Sequence, residues 1–178
     1  MVVLMSTTYM SCTKDVDFNQ AEDLVLEPII ALDLIYFDAP ASDFFLEGTE
    51  LTTVRDSVII DLFSRDFVVD NLEKAEFVFQ TTNSVNRAFN IQVDFLDSDN
   101  TLQHAFAVFA PASPTNTDLL NTHTEVLEAN LIDALKASNK IELTLQAFPG
   151  GTPLNADTPG RIQLKSKGLF YFKIGSEE

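Results

Sequence analysis

The chain has 178 residues, of which 46% are hydrophobic and 21% charged, with fifteen Phe and no Trp. That is the size of one globular domain with a sizeable core, and it is too short for two full domains. A formal charge of −16, from 27 acidic and 11 basic side chains with no Lys/Arg cluster, argues against nucleic acid as a partner and against electrostatic docking on anionic lipid.

No run approaches the roughly 20 apolar residues that span a bilayer. Residues 1–11, MVVLMSTTYMS, are apolar and small, without acid, Gly or Pro, and read as the end of a secretory apolar region. They stop at Cys12, the one cysteine, so neither an internal disulfide nor a thiolate-rich metal site is available. Tyr9, Met10, Ser11 and Cys12 resemble the lipobox of bacterial lipoproteins, with Tyr9 standing where Leu, Val or Ile is usual. The resemblance implies cleavage between Ser11 and Cys12 and lipid on the Cys12 sulfur. The following TKDVD, with Lys14, Asp15 and Asp17, resembles the short charged export tag of Bacteroidota lipoproteins, which implies the outer membrane and an outward-facing domain. Each acyl CH₂ buried in the bilayer contributes about 0.8 kcal/mol, and more than one chain gives stable anchoring. Residues 12–22 then form a lipidated acidic tether, and 23–178 a single folded domain.

From Leu24 onward the dominant period is two. IIALDLIYFD (29–38) and DSVIIDLF (56–63) are rich in β-branched and aromatic residues and bounded by turn formers, as strands are. Between them DFFLEG (43–48) sets Phe44, Phe45 and Leu46 in a connection beside Pro40. Exposed, these three side chains would make a protein contact; folded back, they would plug the sandwich. In AEFVFQT, Ala75, Phe77, Phe79 and Thr81 alternate with Glu76, Val78 and Gln80, and AFNIQVDFLD alternates in the same way through Phe89, Ile91, Val93 and Phe95. Each predicts a strand with one buried and one wet face. LQHAFAVFA (102–110) follows after DSDN (97–100), a tight hairpin connection whose Asp97 and Asp99 resemble the start of a calcium loop. That stretch lacks the Gly and distal Glu of an EF-hand, so it reads as a turn, with these two acids the weak metal candidates.

One window changes period. In THTEVLEANLIDALKASN, Leu127, Leu131, Ala134 and Leu135 fall on a helical stripe, Thr122 with Glu125 makes a capping box, and Asn139 is a stop, predicting one connecting helix over about 123–137. IELTLQAF (141–148), RIQLK (161–165) and GLFYFKI (168–174) then read as further strands, with PGGTPLNADTPG (149–160) a long loop projecting from one end. The total is about eight or nine strands and one helix, without βαβ alternation, which predicts an all-β antiparallel sandwich of Ig-like type.

Chemistry is sparsely signalled. His104 and His123 lack metal-ligand spacing and read as solvent-facing or cap-side imidazoles. There is no Gly-x-Ser-x-Gly elbow, no dinucleotide fingerprint and no P-loop, so no catalytic residue, cofactor or nucleotide is implied. The run FQTTNSVNRAFNIQVDFLDSDNTLQHAFAVFAPAS (79–113) resembles strand pairs of Bacteroidota outer-membrane lipoproteins with Ig-like sandwiches. That resemblance implies a lipid-anchored, non-enzymatic accessory subunit of an outer-membrane transport, secretion or assembly complex, with the bilayer and an integral outer-membrane protein as partners. The alternative is a surface adhesive module binding glycan or calcium.

Overall fold

The computed structural model describes residues 24–175. Eight long strands build two four-stranded sheets: β1 (Ile29–Pro40), β4 (Thr53–Ile59), β5 (Leu72–Asn83), β6 (Phe89–Leu96), β7 (Leu102–Ala110), β8 (Leu119–Glu128), β9 (Lys140–Ala147) and β10 (Arg161–Phe172). A two-residue pair, β2 (Phe45–Leu46) and β3 (Thr49–Glu50), forms a small ribbon between β1 and β4. Two short helices complete the order, α1 (Asp66–Asn71) and α2 (Asn130–Lys136).

One sheet runs β1-β10-β5-β8 and the other β4-β9-β6-β7, and every pairing between these eight strands is antiparallel. The expected antiparallel sandwich with a connecting helix is present. Its winding is finer than that class. Numbered along the chain, the eight long strands stand in the order 1-8-3-6 in one sheet and 2-7-4-5 in the other, which is the double Greek key of a jelly roll.

The inner faces come from the period-two pattern. In β5 the buried positions include Ala75, Phe77, Phe79 and Thr81; in β6 they are Phe89, Ile91, Val93 and Phe95, with Leu96 at the strand end. Phe77 lies at the centre, 5.2 Å from Phe95 across the sandwich and edge-on to Phe170 at 5.8 Å and 86°. Seven phenylalanines are among the largest fully buried side chains, and each contributes roughly 1.5–3 kcal/mol of transfer free energy. Phe therefore fills the space that Trp occupies in many sandwiches.

Three expectations change. RIQLK and GLFYFKI are one continuous strand, β10, through Gly168; a Cβ there would lie 2.6 Å from the Phe170 ring and 3.3 Å from Leu34 Cδ1, so the glycine leaves room for the Phe170 ring beside Leu34. The helix predicted over 123–137 is α2 alone, and residues 119–128 are strand β8. Thr122 and Glu125 are thus not a capping box. Asn121, His123, Glu125 and Leu127 turn inward while Leu120, Thr122, Thr124 and Val126 face out, and ten rungs of pairing to β5 override the local helical stripe. In the window 56–63, pairing ends at Ile59, and Phe63 turns into the core beside Phe77 and Phe170.

Candidate functional site

The two lateral seams of the sandwich differ. On one side, edge strands β7 and β8 approach each other and are joined by side chains: His104 Nε2 and Glu125 Oε1 lie 2.8 Å apart, and His123 Nε2 and Glu125 Oε2 lie 3.2 Å apart. Phe106 stacks on the His123 ring at 5.5 Å and packs on Phe79 at 5.3 Å. The histidines, read from sequence as solvent-facing or cap-side, are tied to one carboxylate that the helical assignment had placed elsewhere. The carboxylate separates the rings, one nitrogen per oxygen, and no group of three or more His, Cys, Asp or Glu among the described residues could hold a metal ion.

On the other side β1 and β4 part. Between them runs an apolar groove lined by Ile35, Phe37, Phe44, Val54, Ile91 and Leu143, with a volume of about 260 Å³ and a continuation of about 200 Å³ along Asp56, Ser57 and Val58. Every residue of β4 is exposed, including Val54 at 40% and Val58 at 42%, although both line the groove as core-facing residues would. Ile29, Ile30, Leu32 and Tyr36 of β1 are exposed as well. A strand of alternating Val and polar residues normally buries one face; here none of the described residues covers that face.

The two edges flanking the groove are built differently. The ladder of β1 on β10 slips between Asp33 and Tyr36, and Ser166 seals the slip: Ile35 N–H donates to Ser166 Oγ at 3.0 Å, and Ser166 O–H donates to Ile35 C=O at 3.3 Å. Such a bulge blunts an edge. β4 pairs with β9 in unbroken register from Thr53 to Ile59. Near its free edge, Ser57 N–H donates to the carboxylate of the adjacent Asp56, 2.7 Å to Oδ1. Arg55 is held by Glu142 at 3.4 Å, and Asp38 by Arg161 at 2.7 Å.

The residues singled out from sequence are scattered. Phe44 is buried against Phe89 with ring centres 5.2 Å apart, Phe45 is half-buried, and Leu46 is 59% exposed, so the segment is mainly a plug, with Phe44 forming part of the groove wall. Asp97 caps its turn: Oδ1 accepts from the N–H groups of Asp99 and Thr101, both at 2.9 Å, and Oδ2 accepts from Gln103 Nε2 at 2.8 Å. The 149–160 loop does not project freely. Buried Arg87 donates to Phe148 C=O and Thr152 C=O, each at 2.8 Å, and Leu154 is buried, so the loop is strapped across the end of the sandwich. Ser11, Cys12, Lys14, Asp15 and Asp17 lie outside the described residues. The groove itself went unread, because Val54, Asp56 and Val58 look in sequence like any half-buried strand.

On the outer face of β5 and β10, Lys74 bridges Glu76 at 2.8 Å and Glu128 at 3.2 Å and lies 5.0 Å over the Tyr171 ring. The hydrogen bond from Lys74 holds the Glu76 carboxyl below its usual range, the bond to Glu76 holds the Lys74 ammonium above its own, and partial burial raises the Tyr171 phenol.

Fold and groove together define a jelly-roll sandwich with one closed and one open lateral seam. No known protein family matches the chain, and no curated protein is similar to it in sequence. Solved structures of similar shape include the VP2 subviral particle of infectious bursal disease virus, at 14% identity and a TM-score of 0.46, covering 94% of this chain and 37% of that one. The T13 particle of the same virus aligns at 13% identity and a TM-score of 0.43, covering 97% of this chain and 40% of the other. Tailspike protein 4 of bacteriophage CBA120 aligns at 10% identity and a TM-score of 0.35, covering 89% and 21%. The chain thus spans well under half the length of these proteins.

Proposed function

We propose that this protein is a non-enzymatic binding module, anchored by lipid on Cys12 at the outer membrane and serving as an accessory subunit of an integral outer-membrane complex. The observation that carries the binding role is β4, a strand with no buried residue beside an apolar groove. Exposed apolar surface of this kind is costly in water and is characteristic of surfaces that meet another protein. The lipid anchor rests on the lipobox-like Tyr9 to Cys12 and the tag at Lys14, Asp15 and Asp17. Tethering confines the domain to a thin layer beside the membrane and raises its effective concentration, so a weak interface suffices.

The test is photo-crosslinking in the native cell from a residue replaced at Val58, on the open seam, and from one at Leu120, on β8. The reading expects an adduct with one integral outer-membrane protein from position 58 only, and its loss when Cys12→Ala releases the chain from the membrane fraction. Equal adducts from both positions, or none, overturn the binding role; Cys12→Ala remaining membrane-bound overturns the anchor. A glycan-binding role has one observation in its favour, the 61% exposed Tyr36 ring at the groove, and oligosaccharide titration followed at Tyr36 tests it.

A further inference from the structure

We propose that the free edge of β4 accepts an added strand, and that the occupant is an extended segment of a partner protein whose groove-facing residues read apolar, basic, apolar. This rests on the binding-module reading above and adds the partner's chemistry.

Backbone direction comes first. Ile60 N–H donates to Asn139 C=O at 2.7 Å, and Ala147 N–H donates to Thr52 C=O at 2.9 Å. Backbone polar groups alternate sides along an antiparallel strand, so positions 52, 54, 56, 58 and 60 turn toward β9, while Thr53, Arg55, Ser57 and Ile59 present N–H and C=O to the open side. Unlike β1, this edge has no bulge and no Pro. It is a ready template for strand addition.

Ser57 N–H shows how the edge is kept while empty. Its acceptor is the side chain of its own neighbour, Asp56 Oδ1. An arriving backbone carbonyl takes that N–H and frees the carboxylate for a new partner. The frame Val54, Asp56, Val58 lies along the groove, and the charged side chains lining its two parts are Asp43 and Asp56, both acidic. Opposite-charge and apolar pairs across adjacent strands are favourable, and like charges directly opposite are not. The complement is therefore apolar, Lys or Arg, apolar at alternate positions. A second copy of this chain is disfavoured as occupant, because two chains of charge −16 would bring acid against acid.

The experiment titrates the full chain with the peptides acetyl-TVTKTVT-amide and acetyl-TVTETVT-amide, following amide shifts by NMR. The lysine peptide is expected to shift Thr53 to Ile59 and Leu143 and to bind roughly tenfold or more tighter than the glutamate peptide. Asp56→Asn should reduce that preference to about threefold or less. Ser57→Pro should abolish binding by deleting an edge donor that β9 does not use, while Ser57→Ala keeps it. If Ser57→Pro fails to fold, Asp56→Asn and the peptide pair still decide. Equal binding of both peptides, full binding by Ser57→Pro, or no binding at all overturns the inference. So does a dimer seen by sedimentation and lost in Ser57→Pro, which would make a second copy the occupant. Loss of β4 shifts only when residues 1–23 are present would assign the groove to the chain's own leader and also overturn it. Failure of the peptides with intact crosslinks from Val58 sinks strand addition alone; failure of both sinks the binding role as well.

Discussion

His104 of one sheet and Glu125 of the other lie 2.8 Å apart, nitrogen to oxygen, across the seam between β7 and β8. The side chains are 14% and 21% exposed, so water screens the contact only partly. The second oxygen of the same carboxylate meets His123. One residue thereby fastens the closed side of the sandwich, and the opposite seam has no counterpart to it among the described contacts.

Removing that fastener should loosen β7 and β8 together. Glu125→Ala strands two imidazoles and is expected to cost about 1–3 kcal/mol, the usual penalty for half-buried polar groups without partners. Glu125→Gln should lose less, because the amide still offers an acceptor and a donor. Urea unfolding measures the cost, and hydrogen exchange should show early loss of protection at β7 and β8.

Arg87 should govern the loop at the end of the sandwich. It is 6% exposed, donates to Phe148 and Thr152, and lies 3.3 Å from Glu50. Arg87→Met releases both carbonyls and leaves Glu50 without its counter-charge, so a loss of about 3 kcal/mol is expected. Limited proteolysis should then cut within residues 149–160 at a temperature where the wild-type chain resists. Equal resistance in the two chains would show that Leu154 alone docks the loop.

Gly160→Ala should destabilise although the substitution is small. The residue has φ +99°, and an added Cβ would sit 2.6 Å from Ser84 C and 2.9 Å from Val85 N. Both the backbone conformation and the space oppose it, and the cost is expected to exceed about 1 kcal/mol. Thermal melts compare it with Gly48→Ala, where φ is also positive but nothing lies within 4 Å. The difference between the two isolates the steric part.

The Lys74 network sets a pH dependence of defined sign. The folded-state carboxyl of Glu76 is held below its ordinary 4.5, chiefly by the hydrogen bond from Lys74, so its contribution is present above that pH and disappears as pH falls through the depressed value. Lys74 is raised above 10.5, chiefly by its hydrogen bond to Glu76, so its contribution is full below 10.5 and is lost as pH rises through the raised value. Glu76→Gln should therefore narrow its stability gap to wild type as pH drops below about 4.5 and show the full gap near neutrality. Denaturant unfolding across pH 3 to 8 checks this; a gap independent of pH would show that the pair contributes nothing in solution.

The amino-acid order by itself determined the inner faces of the sandwich. Phe77 and Phe79, or Ile91, Val93 and Phe95, can bury one side only as strands, and alternation is a local property that needs no partner to be read. It determined the turn at Asp97 equally well. Where two periods overlapped, as at residues 122–128, local signals were insufficient, because the choice between helix and strand was made by a ladder to β5, distant in sequence.

Only the tertiary structure decided the winding and the groove. The jelly-roll order depends on which edges meet, and those pairings link residues as far apart as Ile29 and Tyr171. Val54 and Val58 carry the same local pattern as the buried residues of β6, yet they stay exposed because no element among the described residues covers the face between β4 and β1. Whether an apolar strand face is core or binding surface is set by what lies opposite it, and period alone does not encode that.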